Sequence, residues 1–200
     1  GELLAKLRND TNDFRTLGFA PFAALAFPGL TGPELRRIAK RHAIGATGRL
    51  LPISCDRLSA APIPAAGRRL RVGYLSGDLR GHPVGMIVAE VIERHDRTRV
   101  EVFAYSTTDS DGSAIRSRLE ATFDHFVDVR ELPIEDIVRR IRGDSIDVLV
   151  DLAGWTAESR PEALAQRCAP VQVNWLGFAG TMGDERLADR RSRVRGLRDA

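Results

Sequence analysis

From residue 68 onward the sequence alternates between short apolar runs and helical stretches of about ten residues, and this alternation limits the fold more than any other feature. The runs are Leu70 to Ser76, Val100 to Tyr105, His125 to Val129, Ile146 to Leu152 and Val171 to Leu176. They are rich in β-branched and aromatic residues, as strands are. Helical periodicity lies between them at 85–95, 112–121, 134–143 and 159–167. In the third, Ile134, Ile137, Val138 and Ile141 recur at the three-and-four spacing of a buried stripe. Strands separated by helices of this length pair in parallel through crossovers, so the expected class is α/β with a doubly wound parallel sheet.

Ahead of this unit, residues 1–45 have helical texture broken by Pro21, Pro28-Gly29 and Gly32-Pro33. In the last of these helices Thr31 is placed to cap, Pro33 fits the first turn, Glu34 suits the positive helix end, and Leu35, Ile38 and Ala39 share a face. Residues 46–67 carry Gly48, Pro52, Pro62 and Pro64 with no regular period and are expected to be a linker. The sheet unit is expected over 68–183, followed by a poorly ordered arginine-rich tail at 184–200.

Hydrophobic residues at 43%, charged residues at 28% and a net charge of +3 describe an ordinary globular chain. Acids interleave with arginines through most of it, which marks a solvated mixed surface and argues against nucleic acid as a partner. The exception is Arg186 to Arg198, where arginines crowd together. Cys55 and Cys168 have neither metal-ligand nor disulfide spacing, so idle thiols are expected and no metal site. No apolar run reaches the ~18 residues of a membrane span. The start resembles no targeting signal, and a cytoplasmic location is expected.

In a doubly wound sheet, ligands bind beyond the carboxyl ends of the strands. The loop after the first strand, Ser76 to Gly85, holds His82 and Pro83, and Gly73, Gly77, Gly81 and Gly85 fall four apart, which is not the dinucleotide fingerprint. It reads either as a plain strand-to-helix turn or as a cradle for a phosphate or sugar hydroxyl. His82 and His125 each have two readings: a group that moves or orients a proton, or a side chain that bonds its own loop. After the fourth strand, Ser159 and Glu162 have capping-box spacing, which leaves Trp155 and Thr156 to line a sugar site or pack under the loop. Asp151 is a ligand contact or a cap for that loop. Gly177, Phe178, Gly180 and Thr181 follow the fifth strand, where backbone can approach a ligand or lead to a second domain.

Taken in order, Arg71-Val72-Gly73-Tyr74-Leu75-Ser76-Gly77-Asp78, Gly81-His82-Pro83, Gly154-Trp155-Thr156 and Ala169 through Gly183 resemble the O-linked N-acetylglucosamine transferase and SPINDLY family. Residues 14–45 resemble the helical segment that in this family joins tetratricopeptide repeats to the catalytic region. The resemblance implies one Rossmann-like half of a GT-B fold, the amino-terminal half of the catalytic region. It also implies UDP-N-acetylglucosamine as donor, protein serine or threonine as acceptor, and inversion without metal or cofactor. It places His82 and His125 at the active site, with Pro83, Trp155, Thr156, Leu176, Gly177, Phe178, Gly180 and Thr181 about the substrates. Cys168 and Phe178-Ala179 depart mildly from the family pattern. After Gly183 the family continues into an apolar strand, whereas Asp184 to Ala200 shows none. The chain is therefore expected to lack the donor-binding half and to be nearly inactive alone, binding a UDP-sugar only if that half is supplied. The alternative is a non-catalytic module that binds a protein partner through its exposed crevice, with self-association through the uncovered apolar surface.

Overall fold

The computed structural model describes residues 20–48 and 67–188. Five parallel strands form the sheet: β1 (Leu70–Ser76), β2 (Val100–Ser106), β3 (His125–Asp128), β4 (Val148–Asp151) and β5 (Val171–Asn174). Their spatial order is β3-β2-β1-β4-β5, the first five positions of the doubly wound dinucleotide-fold order. The α/β class and the parallel sheet are thus those expected from the sequence. Six helices accompany the strands among the described residues: α1 (Pro21–Ala24), α2 (Gly32–Thr47), α3 (Pro83–Glu93), α4 (Ala114–Thr122), α5 (Ile134–Gly143) and α6 (Pro161–Ala165).

The period-two pattern of the strands divides the core into two layers. Val72 and Tyr74 of β1, Val102 and Ala104 of β2, and Val150 of β4 pack with Val88 and Ile92 of α3 and Leu119 of α4. On the other face Leu75, Phe103, Tyr105 and Leu149 meet Ile137, Val138 and Ile141 of α5, Leu164 of α6 and Ala43 of α2. Each fully buried aliphatic side chain of α5 contributes about 2 kcal/mol by leaving water. Gly73 is tightly packed at the centre, where a Cβ would lie 3.0 Å from the Tyr105 ring and 3.1 Å from Leu149 and would press both aside. Cys168 is buried, and burial pushes its thiol up to about 12.

The expected start of α2 is realised, with Glu34 Oε2 accepting from the Thr31 N–H and from its hydroxyl, each at 2.7 Å. The Ser159–Glu162 capping box is not. Helix α6 begins one residue later, at Pro161, with Arg160 as its N-cap and no side-chain cap bond. Proline fixes the first helical position and moves the cap off Ser159. Strand β4 is shorter than the apolar run, and at its start the Asp147 carboxylate accepts from the Arg68 guanidinium and the Arg71 N–H. β5 stops at Asn174 because Leu176 takes a left-handed φ of 77°. At the far end, Asp184 to Ala188 is packed where a loose tail was expected. Leu187 is buried, and the Gln172 side-chain amide donates to the Arg186 and Leu187 carbonyls. The rest of the arginine-rich segment, the first 19 residues and most of the 46–67 linker with Cys55 lie outside the described residues.

Candidate functional site

The chain order reverses at β1: the path runs outward through β2 and β3, then returns to β4 on the other side of β1. The loops after β1 and β4 therefore diverge and leave a crevice at the carboxyl edge, the switch point of an open α/β sheet. Residues 77–82, 107–113, 152–160 and 175–183 surround it. Short polar contacts lock the first three together. Thr108 Oγ1 donates to the Gly77 carbonyl at 2.6 Å, and Thr107 Oγ1 donates to the Glu158 carbonyl at 2.8 Å. A Cβ on Gly77 would stand 2.6 Å from that of Glu158, so the approach needs glycine.

His82 is the N-cap of α3, and Pro83 holds the first helical position beside it. The Val84 N–H donates to His82 Nδ1 at 3.3 Å. This bond places the neutral ring's proton on Nε2. Asp78 Oδ2 lies 3.6 Å from Nδ1. The imidazole is half-exposed at the mouth of the crevice. Gly85 lets the loop fold over the helix start, since a Cβ there would meet the Arg80 carbonyl at 2.3 Å.

The loop after β2 contributes a group that the sequence reading passed over. Asp111 Oδ2 accepts from the Gly81 N–H at 2.8 Å and Oδ1 from the Ser113 N–H at 3.0 Å, tying this loop to that of His82. Hydrogen bonds from Ser113, side chain first, and from the Gly81 N–H hold its exposed carboxyl down at about 2. The available signal was Asp111-Gly112-Ser113 just after a strand and just before a helix.

His125 is not brought to this place. Its pairing with Phe103 sets it three residues back from the end of β3, about 10 Å from the carboxyl edge at 3.3 Å per residue. There its ring stacks on Phe103 at 4.2 Å and its Nε2 sits 2.8 Å from Glu101 Oε1. That carboxylate also takes the Arg71 guanidinium, and His125 first, then Arg71, holds it below the usual range. A histidine at the start of an edge strand has no reason to reach the crevice.

Of the other expected residues, Trp155 is buried and Thr156 Oγ1 donates to the Ala153 carbonyl at 2.8 Å, so both serve the loop itself. Asp151 resolves as a cap: its buried carboxylate accepts from the Ala153 and Gly154 N–H groups, each at 3.0 Å, and from the Asn174 side-chain amide at 3.2 Å. Burial raises its pKa, against the pull of these three donors. Gly177 presses on the Leu152 carbonyl, which a Cβ would approach to 2.0 Å. Phe178 is buried between Gly154 and Gly180. Leu176 is half-buried, and Thr181, whose hydroxyl accepts from the Gly183 N–H at 3.1 Å, is exposed. Trp175, Met86 and Ile87 are also exposed. Among the described residues no three His, Cys, Asp or Glu side chains are grouped to hold a metal, and no helix is long and apolar enough to cross a membrane.

A parallel sheet in this order, with glycine-bearing loops at its carboxyl edge, is a Rossmann-like α/β architecture. Residues 4–189 match the family described as glycosyl transferase family 41, and the chain belongs to it. It is 39% identical over 137 residues to a UDP-N-acetylglucosamine–peptide N-acetylglucosaminyltransferase of Caenorhabditis elegans, covering 68% of this chain and 12% of that protein. It is 33% identical over 167 residues to the probable enzyme SEC of Arabidopsis thaliana, covering 82% and 17%. A solved structure of a Thermobaculum terrenum O-GlcNAc transferase mutant superposes with a TM-score of 0.74 at 36% identity, over 84% of this chain and 31% of that one. The chain therefore spans a minor part of the relatives it matches.

Proposed function

We propose that this chain forms the acceptor-side and sugar-side wall of a protein O-linked N-acetylglucosaminyltransferase, with UDP-N-acetylglucosamine as donor and protein serine or threonine as acceptor. In the inverting reaction the acceptor oxygen bonds to the anomeric carbon as the bond to the diphosphate breaks. The acceptor proton goes to a base and UDP departs. His82, at the crevice mouth with an ionisable ring, is the group to orient or receive that proton. Pro83, Leu176, Gly177, Gly180 and Thr181 form the surface on either side of it.

The observation that carries this reading is the charge of the crevice. Its four loops hold Asp78, Asp109, Asp111 and Glu158 against Arg80 and Arg160, and Arg130 pairs with Asp109 from outside them. This slight excess of carboxylate suits hydroxyl-bearing ligands and does not favour a diphosphate. The leaving group's charge then needs compensation from groups that this chain does not supply, since loss of such an electrostatic stabiliser costs on the order of 10²-fold in rate. Calorimetry tests this division. A serine/threonine acceptor peptide should give saturable heat that His82→Ala diminishes, while UDP alone stays silent to millimolar concentration. Micromolar UDP binding would place the diphosphate within this chain, and a silent peptide would remove the acceptor-side assignment.

A second reading, a non-catalytic module for a folded protein partner, is supported by exposed Met86, Ile87 and Trp175. It predicts a partner held through these three side chains and indifference to UDP-N-acetylglucosamine.

A further inference from the structure

Helix α2 lies outside the strand-helix repeat, yet it and the segment before it touch both loops on the β4–β5 side of the crevice. The His42 ring stands edge-on to Trp155, centroids 4.6 Å apart and planes at 87°. Phe22, next to Pro21 at the start of α1, meets Phe178 at 6.4 Å. The backbone of Gly183 lies so close to α2 that a Cβ would stand 2.3 Å from the Lys40 nitrogen and 2.4 Å from the Ala39 carbonyl carbon. Arg186 Nη2 donates to Thr47 Oγ1 at 3.0 Å, and that hydroxyl in turn donates to the Ala43 carbonyl at 2.7 Å.

Trp155 is the sensitive member of this set. Its indole N–H is buried and has no hydrogen-bond acceptor among the described residues. With no directional bond to hold the ring, its position follows the walls that pack on it, and His42 is one of them. The ring sits two residues after the Ala153 N–H that Asp151 fixes, in the loop whose Glu158 carbonyl receives Thr107. A shift of the ring therefore reaches the loop that closes against Gly77.

We propose that His42 is a positioning residue: the leader helix, through His42 on Trp155, sets the conformation of the 152–160 loop, so that displacement of the leader is felt in the crevice. The importance of that loop for transfer rests on the function proposed above; the mechanical coupling does not.

Hydrogen exchange of the whole chain tests the coupling, with the variants His42→Ala and His42→Phe. Loss of the aromatic edge should accelerate exchange of the 153–157 amides about tenfold while β1 and β2 amides keep their rates. His42→Phe, which restores a ring, should bring the loop back to within about twofold of the parent. In a Trp175→Phe background, which leaves Trp155 as the sole tryptophan, His42→Ala should also shift its emission to longer wavelength. Unchanged loop exchange in His42→Ala would overturn the proposal, as would acceleration spread equally over β1 and β2. If the loop responds as expected but neither acceptor peptide nor UDP-N-acetylglucosamine alters its exchange in the parent, the coupling stands and the functional reading falls.

Discussion

Replacing Asp151 by alanine removes the anchor of the β4 loop, and the structure sets the size of the effect. The carboxylate satisfies the Ala153 and Gly154 N–H groups and the Asn174 side-chain amide from a site 2% exposed. The Ala153 and Gly154 N–H groups, left without an acceptor, cost about 1–3 kcal/mol each, whereas the Asn174 amide keeps the Asp151 backbone carbonyl at 3.3 Å. Against this, the variant no longer buries a carboxylate, whose desolvation raises its pKa and costs several kcal/mol. The orphaned donors outweigh that relief, because a small apolar residue offers no acceptor and leaves a void beneath Gly154. The net loss should be about 3 kcal/mol. With an m-value of about 2 kcal/mol/M, the urea midpoint should fall by about 1.5 M. Asp151→Asn keeps one oxygen but turns an NH2 toward donors, and should lose about half as much. Midpoints for both variants within about 0.3 M of the parent would show that the loop does not depend on these bonds.

Gly177→Ala should cost about 2–4 kcal/mol in urea unfolding, because its Cβ would lie 2.0 Å from the Leu152 backbone oxygen, which cannot yield as a side chain can. Arg116 is buried over the Phe126 ring and bonds Ser106, the Leu79 carbonyl and Glu120, so Arg116→Ala should lower the melting temperature by about 8 °C. Arg116→Lys should recover little, since the planar fork is lost. Burial lowers the pKa of His42 and, with Arg97 adding to the effect, that of His95. Both are neutral when folded and take up protons more readily when unfolded, so their contribution is full above about pH 6.5 and declines as pH falls through the lowered folded values. His42→Gln with His95→Gln should flatten the stability profile below about pH 6.5, measured by denaturant midpoints; an unchanged slope would contradict the assignment.

The sheet was legible because its strands and helices carry clean periodicities: the Ile134, Ile137, Val138, Ile141 stripe of α5 is both the pattern and the buried face. Element ends were less so. Pro161 displaced the start of α6, and the left-handed Leu176 ended β5, both local backbone events that hydrophobic patterning does not record. In the site, His82 and Gly77 were legible as loop residues that follow a strand. Asp111 was missed because its role depends on bonds to Gly81, 30 positions away, and His125 was misplaced because edge-strand register sets its height along the sheet. Trp155 and Phe178 look like ligand residues in sequence; in the fold they spend their surface on His42 and Phe22. Those contacts arise only when the leader packs beside the sheet, which no local pattern discloses.

On the function proposed above, substrates meet this chain at the carboxyl edge of its sheet, around His82, and not at His125. Amide chemical-shift mapping during titration with a serine/threonine acceptor peptide and UDP-N-acetylglucosamine tests it most directly. The account predicts shifts concentrated in residues 77–85, 107–113 and 175–183, with His125 and Glu101 undisturbed. Shifts centred on His125 and Glu101, or none anywhere with both ligands at millimolar concentration, would contradict it.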